Sequence, residues 1–288
     1  MMIQLRMLVP PRFPAARKLL GIAALFGAYT AVVAWVEHFY HPGPLSQYDW
    51  GLSVINGLIL GSLVTFRTNE AKRRFWEART LWGQLINESR NMLVKMHALQ
   101  SLVTEDRRRW SKIIVGFAHA LRLHLRDGRR LRDVPGFEDD PREPEHIPLY
   151  FATLAQDELA RWRREGKLDD MEVWMFDRHA RELLNVCGGC ERIRNTPIPL
   201  TYRALVHRGI TLIMFVMPVL IAQDIGYWAI PIMAVTAYFV FGVEMAAVDI
   251  EEPFGNDPDD LPLDSFCQTI ERSAAQTLGE RDFEKLTI

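Results

Sequence analysis

The chain of 288 residues predicts an all-α membrane protein with a large helical soluble region. Three observations carry that prediction. Apolar residues collect in two blocks, 19–66 and 210–248, around a middle rich in Arg, Asp and Glu. The stretch Gly51–Phe66 holds no charge, and Arg67 then opens a strongly charged helical run. No segment shows convincing strand alternation, internal repetition or low complexity. A hydrophobic fraction of 49% is ordinary, so the distribution decides the class. With 34 basic against 36 acidic residues the formal charge is −2, which suggests no nucleic-acid partner.

The first element follows Arg6, Arg12, Arg17 and Lys18 as an apolar run over 19–36. That is spanning length and has no clear small-x-small cleavage site, so it predicts a membrane helix and not a cleaved signal peptide. The second is 51–66, about 24 Å long as a helix against a hydrocarbon core of about 30 Å. Along it Ile55, Ile59 and Leu63 recur at i, i+4, i+8, and Gly57 and Gly61 form a GxxxG pair on another face. Such a helix packs by one side and presents the other. If several copies surround an axis, the aliphatic row becomes a hydrophobic constriction.

The soluble region follows. Trp110, Ile113, Ile114, Phe117, Ala118 and Leu121 make an amphipathic stripe, with Thr104 as its N-cap. The stretch 127–148 has the Pro, Gly and charge density of a surface loop, and 168–193 repeats the helical pattern less regularly. Two shorter apolar stretches, 210–222 and 229–243, contain Pro218 and Pro231 and span a bilayer only with helical neighbours or tilt. A buried soluble hairpin is their alternative. The 37–50 and 223–228 loops lack Lys and Arg, whereas the N-terminus and the stretch after Phe66 are dense in them. The positive-inside rule therefore puts both termini and the 67–208 insert in the cytoplasm of a cell whose inner (plasma) membrane holds the spans. Trp35, Phe39, Tyr40, Tyr48, Trp50, Tyr227 and Trp228 fall where an outer aromatic belt belongs.

Several polar residues invite chemistry. Cys187-Gly-Gly-Cys190 reads as a redox or metal pair, or as small residues at a helix contact; zinc would need two more ligands, and only Cys267 offers another thiolate. Glu244, at the cytoplasmic end of the last apolar stretch, suits snorkelling or pairing with an arginine of the insert. Asn56 adjoins the aliphatic row and suits a helix interface. His38 and His41, at i, i+3, are a zinc or proton-sensing pair or an interfacial cap. No nucleophile–base pair, HExxH or phosphate loop is present, so no enzyme is expected.

Three strings, in order, carry a resemblance: FRTNEAKRRFWEARTLWGQL (66–85), GCERIRNTPIPLTYRALVHR (189–208) and DIEEPFGNDPDDLPLDSFCQTIE (249–271). Together they resemble the bacterial bestrophins. The resemblance implies a homopentamer of four-span subunits in membrane lipid around one axial pore that passes monovalent ions. The chain then divides into 1–66 with two membrane helices, a cytosolic region 67–208, two more membrane helices over 209–248, and a cytosolic end 249–288. It implies a hydrophobic neck at Ile55, Ile59 and Leu63, and a cytosolic aperture at Ile198, in the stiff turn Thr196-Pro197-Ile198-Pro199. Eukaryotic members carry phenylalanines in the neck, whose electropositive edges favour anions, whereas this chain is aliphatic there. Chloride is the family default, a sodium or potassium channel of the same fold is the alternative, and a non-conducting membrane scaffold is a more distant one. Eukaryotic members also bind calcium after Pro-Phe-Gly. Here Asp257 and Asp260 fall at matching positions, but Asn256 and Pro258 interrupt the acidic run, so calcium stands beside a helix-capping turn as a second reading. No other cofactor is expected.

Overall fold

The computed structural model describes residues 14–40, 50–128 and 130–279, with side chains from Ala16 to Phe39 and from Val54 onward. Among the described residues there are no strands. The helices are α1 (Pro14–Tyr40), α2 (Trp50–Ala98), α3 (Thr104–Leu125), α4 (Ile147–Arg164), α5 (Asp170–Asn195), α6 (Leu200–Ile225), α7 (Ala229–Asp249) and α8 (Leu263–Leu278), with 3₁₀ turns at Leu131–Asp133 and Gly226–Trp228. The chain forms two compact units. One comprises Met1–Arg73 and Ile198–Glu251, the other Arg74–Pro197 and Glu252–Ile288. These limits lie beyond the hydropathy boundaries at 66 and 248 and before that at 208, because helices do not stop where apolar sequence stops.

In the first unit α1, α6 and α7 pack with α2. Phe26 stacks on Phe241 with ring centroids 5.5 Å apart and meets Phe215 at 5.3 Å. Small residues set the helix spacing: a Cβ on Gly27 would lie 3.5 Å from that of Ala234. Ala34, Ala222 and Ala229 form a second small-residue cluster. Pro218 sits inside α6, which nonetheless runs for 26 residues, and Pro231 is the third residue of α7, where a backbone N–H has no helical acceptor. Both helices thus outrun the apolar stretches 210–222 and 229–243. Hydroxyls fold back on their own helices: Ser62 donates to the Leu58 carbonyl at 2.8 Å, and Thr65 and Thr68 to those of Gly61 and Val64 at 2.7 Å. The outer surface is apolar. Leu20, Leu25, Val32, Leu212 and Phe239 are all strongly exposed. Two helical runs among the described residues, Ala16–Phe39 and Leu200–Asp249, are long and apolar enough to cross a membrane.

The second unit has a conventional core. Trp82, Trp110, Trp162, Phe117, Phe151 and Phe176 are fully buried, and the Trp110 and Trp162 rings lie 5.1 Å apart. Every residue of the stripe from Trp110 to Leu121 is buried as its spacing predicts. Gly116 is required: a Cβ there would lie 2.2 Å from the Phe151 ring. Thr104 is not the cap of α3. The helix starts on it, Val103 is the capping position, and its N–H goes to the Asp106 carboxylate at 3.4 Å. Asp169 caps α5 reciprocally with Glu172, through bonds of 2.7 and 2.9 Å. The 127–148 stretch is less a surface loop than its composition predicts, since Leu131 and Val134 are buried in the core.

Candidate functional site

Leu60, Arg67 and Ala71 line one buried edge of α2, with Val64 packed against the same core. At about 100° per residue this face covers less than half of the helix. Ile55 and Ile59 lie outside it, 54% and 46% exposed. Leu63 turns partly inward: it packs against the first unit's core, and a Cβ on Gly209 would come within 3.1 Å of its Cδ1. The aliphatic row therefore starts on open surface and ends at the protomer's own core. The glycine pair is divided. A Cβ on Gly57 would meet Met217 at 3.9 Å, while one on Gly61 would meet nothing within 4 Å. Asn56 beside them is half-buried.

At the charged end of this segment Arg67 is 2% exposed and donates to Glu251, itself 3% exposed, at 2.5 Å. The sequence marked Arg67 as a topology signal; the structure makes it half of a buried ion pair. Arg203 stands 3.9 Å from the other oxygen of Glu251. Glu244 pairs with the His207 ring at 2.5 Å, not with an arginine of the insert. Near the far end of α1, His38 meets the Tyr227 ring at 5.8 Å, and Trp35, Phe39, Tyr227 and Trp228 are exposed. His41 and Tyr48, and the side chains of Tyr40 and Trp50, lie outside the described residues, so the expected histidine pair is represented by His38 alone.

Ile198 is 5% exposed. Its own chain covers a side chain that was expected to face a pore axis. Two residues upstream, the end of α5 is held by Arg74, whose guanidinium donates to the carbonyls of Thr196 at 2.6 Å and Ile193 at 2.5 Å.

The acidic turn closes on itself. The Asp260 carboxylate accepts the Asp257 N–H at 2.6 Å, the Asp260 N–H returns to the Asp257 carbonyl at 3.1 Å, and a Cβ on Gly255 would collide with that carboxylate. Burial holds the Asp260 carboxyl above its ordinary value, against the hydrogen bond from Asp257. Among the described residues, Asp257 and Asp260 do not converge with a third His, Cys, Asp or Glu. One cluster does converge: His124, His146 and Glu191. Nothing in the sequence marked it, because its members stand on three different elements with no shared motif. Cys187, Cys190 and Cys267 are free and buried, and burial pushes the Cys187 thiol up to about 12.

The bacterial/fungal bestrophin family model matches residues 6–276. The chain belongs to that family. As a bestrophin, it is similar to the voltage-dependent anion channel-forming protein alr2987 of Nostoc, 32% identical over 259 residues that cover 87% of this chain and 82% of the relative. The voltage-dependent anion channel-forming protein YneE of Escherichia coli is 30% identical over 271 residues, covering 92% and 85%. A crystal structure of a bacterial bestrophin homologue from Klebsiella pneumoniae superposes with a TM-score of 0.81 at 25% identity, covering 91% of this chain and 99% of that one. A second crystal structure, described as a membrane protein, matches with the same TM-score at 24% identity and supports the fold. A membrane location accords with the family and with the apolar surface of the first unit.

Proposed function

We propose that this bestrophin is a subunit of a pentameric ion channel whose neck is lined by Ile55, Ile59 and Leu63. The observation that carries the proposal is the exposure of Ile55 and Ile59 on a helix whose opposite edge is buried. Five copies of the row stack three aliphatic rings one turn apart, and such rings gate by wetting and dewetting. Gly61, with open space beside it, offers a neighbouring subunit close approach. Each subunit crosses the inner (plasma) membrane four times, through α1, the first part of α2, α6 and α7, with both termini cytoplasmic by the positive-inside rule. The Pro197-Ile198-Pro199 turn forms a second narrowing. Because Ile198 is largely covered, the stiff backbone contributes to it alongside the side chain.

Anions are the first assignment, since relatives are described as voltage-dependent anion channel-forming proteins. The aliphatic neck favours a second reading, a monovalent cation channel, because Ile and Leu present no electropositive ring edges to an anion. Conduction by this scheme involves no catalytic step and no resident cofactor. The acidic turn acts as a structural cap, its carboxylate already engaged by backbone. Reversal potentials in a planar bilayer with asymmetric NaCl test the assignment. A value at the chloride equilibrium potential supports it, a value at that of sodium selects the cation channel, and absence of current overturns the channel.

A further inference from the structure

We propose that His124, His146 and Glu191 form a binding site for a divalent transition-metal ion, zinc above all. The three come from separate elements: His124 from the last turn of α3, His146 from the N-cap of α4, and Glu191 from the last two turns of α5. Their ligand atoms all lie within 4.8 Å of one another. Both imidazole Nε2 atoms point at the same Glu191 Oε1, each at 2.7 Å. The two rings stand 4.6 Å apart with 37° between their planes. Each side chain is a quarter to a third exposed, so water can complete a tetrahedral shell.

The donor atoms suit a cation, since two imidazole nitrogens and a carboxylate oxygen converge on one point. Two imidazoles, one carboxylate and an open position make a zinc donor set. Cys187, one turn before Glu191 on α5, is not among the converging ligand atoms. Arg194 does not compete, since its guanidinium is engaged by the His124 carbonyl at 2.6 Å and by Asp127.

Loading has a cost that makes it visible. His146 Nδ1 accepts the Leu149 N–H at 3.0 Å, so without metal the ring proton sits on Nε2. Zinc at Nε2 moves that proton to Nδ1 and displaces the Leu149 amide. Each imidazole keeps one proton, so the balance holds, and the first turn of α4 loses its cap while the end of α5 is tied down.

The test is zinc titration calorimetry on full-length protein stripped with chelator, with hydrogen exchange read alongside. The expected result is one zinc per chain, faster exchange at Leu149 and slower exchange around Glu191. Binding is expected to fall at least tenfold in His124→Gln and Glu191→Gln and to persist in Cys187→Ser. Absence of saturable binding in the parent, or parental affinity in both ligand variants, overturns the site. If those variants fail to fold, X-ray absorption of the zinc-loaded parent decides: a shell of imidazole nitrogen and oxygen near 2.0 Å supports the site, and a sulfur shell near 2.3 Å overturns it.

Discussion

Arg67 ends the apolar half of α2, yet it is almost wholly buried against Glu251. Removing one member of such a pair strands a charge, so Glu251→Ala is expected to cost roughly 3–5 kcal/mol. Arg67→Met combined with Glu251→Leu should recover most of that in detergent unfolding, because the desolvation cost disappears with the charges. Parental stability in the single variant would mean the pair is solvated. Ile59 is the opposite case, with 46% of its side chain uncovered. Ile59→Ala should leave stability nearly unchanged and raise single-channel conductance by widening the middle ring; current equal to the parent would remove the pore from this row. Ile198→Ala removes a buried side chain, which costs about 2–5 kcal/mol in a core that cannot collapse. It is also expected to shift the relative permeability of large ions while open probability stays nearly constant. Unchanged permeability ratios would confine Ile198 to packing.

At the scale of elements, the two units obtain stability by different means. On the proposed reading of α1, α6 and α7 as membrane helices, lipid leaves little hydrophobic driving force between them, and close contact through Gly27, Ala34, Ala222 and Ala229 holds them together. The second unit buries tryptophans and phenylalanines and fixes its helix ends with charges. Asp106, in the first turn of α3, is 3% exposed and accepts from Lys167 and Arg161, each at 2.7 Å. Burial raises its pKa, but those two partners outweigh burial and set it below the ordinary 3.8. A depressed folded-state value means that the stabilisation is complete above about pH 5 and fades as pH falls through and below 3.8. Asp106→Asn should therefore lower the melting temperature at pH 7 and narrow its gap to the parent at pH 3. A gap independent of pH would show that shape, not charge, matters at this position.

For the whole molecule, the exposed apolar surface of the first unit is the controlling fact. Leu20, Leu25, Val32, Leu212 and Phe239 point outward without polar cover, which suits lipid, while Gly61 leaves a place for another helix. Native mass spectrometry in detergent is expected to show five copies. Gly61→Leu, which adds bulk where the protomer has none, should shift the distribution toward monomer without unfolding the chain. A parent that is only monomeric or dimeric would sink the pentamer.

Hydropathy and periodicity alone determined the helical class, the apolar run within α1 and the buried stripe of α3 from Trp110 to Leu121. These are local patterns, repeated every turn, and the physics that reads them acts over neighbouring residues. Tertiary structure decided the rest. Arg67 finds Glu251 across 184 residues, Glu244 takes His207 instead of an arginine, and Leu63 turns inward while Ile59 does not. Ile198 is covered, and His124, His146 and Glu191 meet from α3, the N-cap of α4 and α5. Each of these depends on single side chains with no period, whose partners are chosen only when packed helices bring them within a few ångströms.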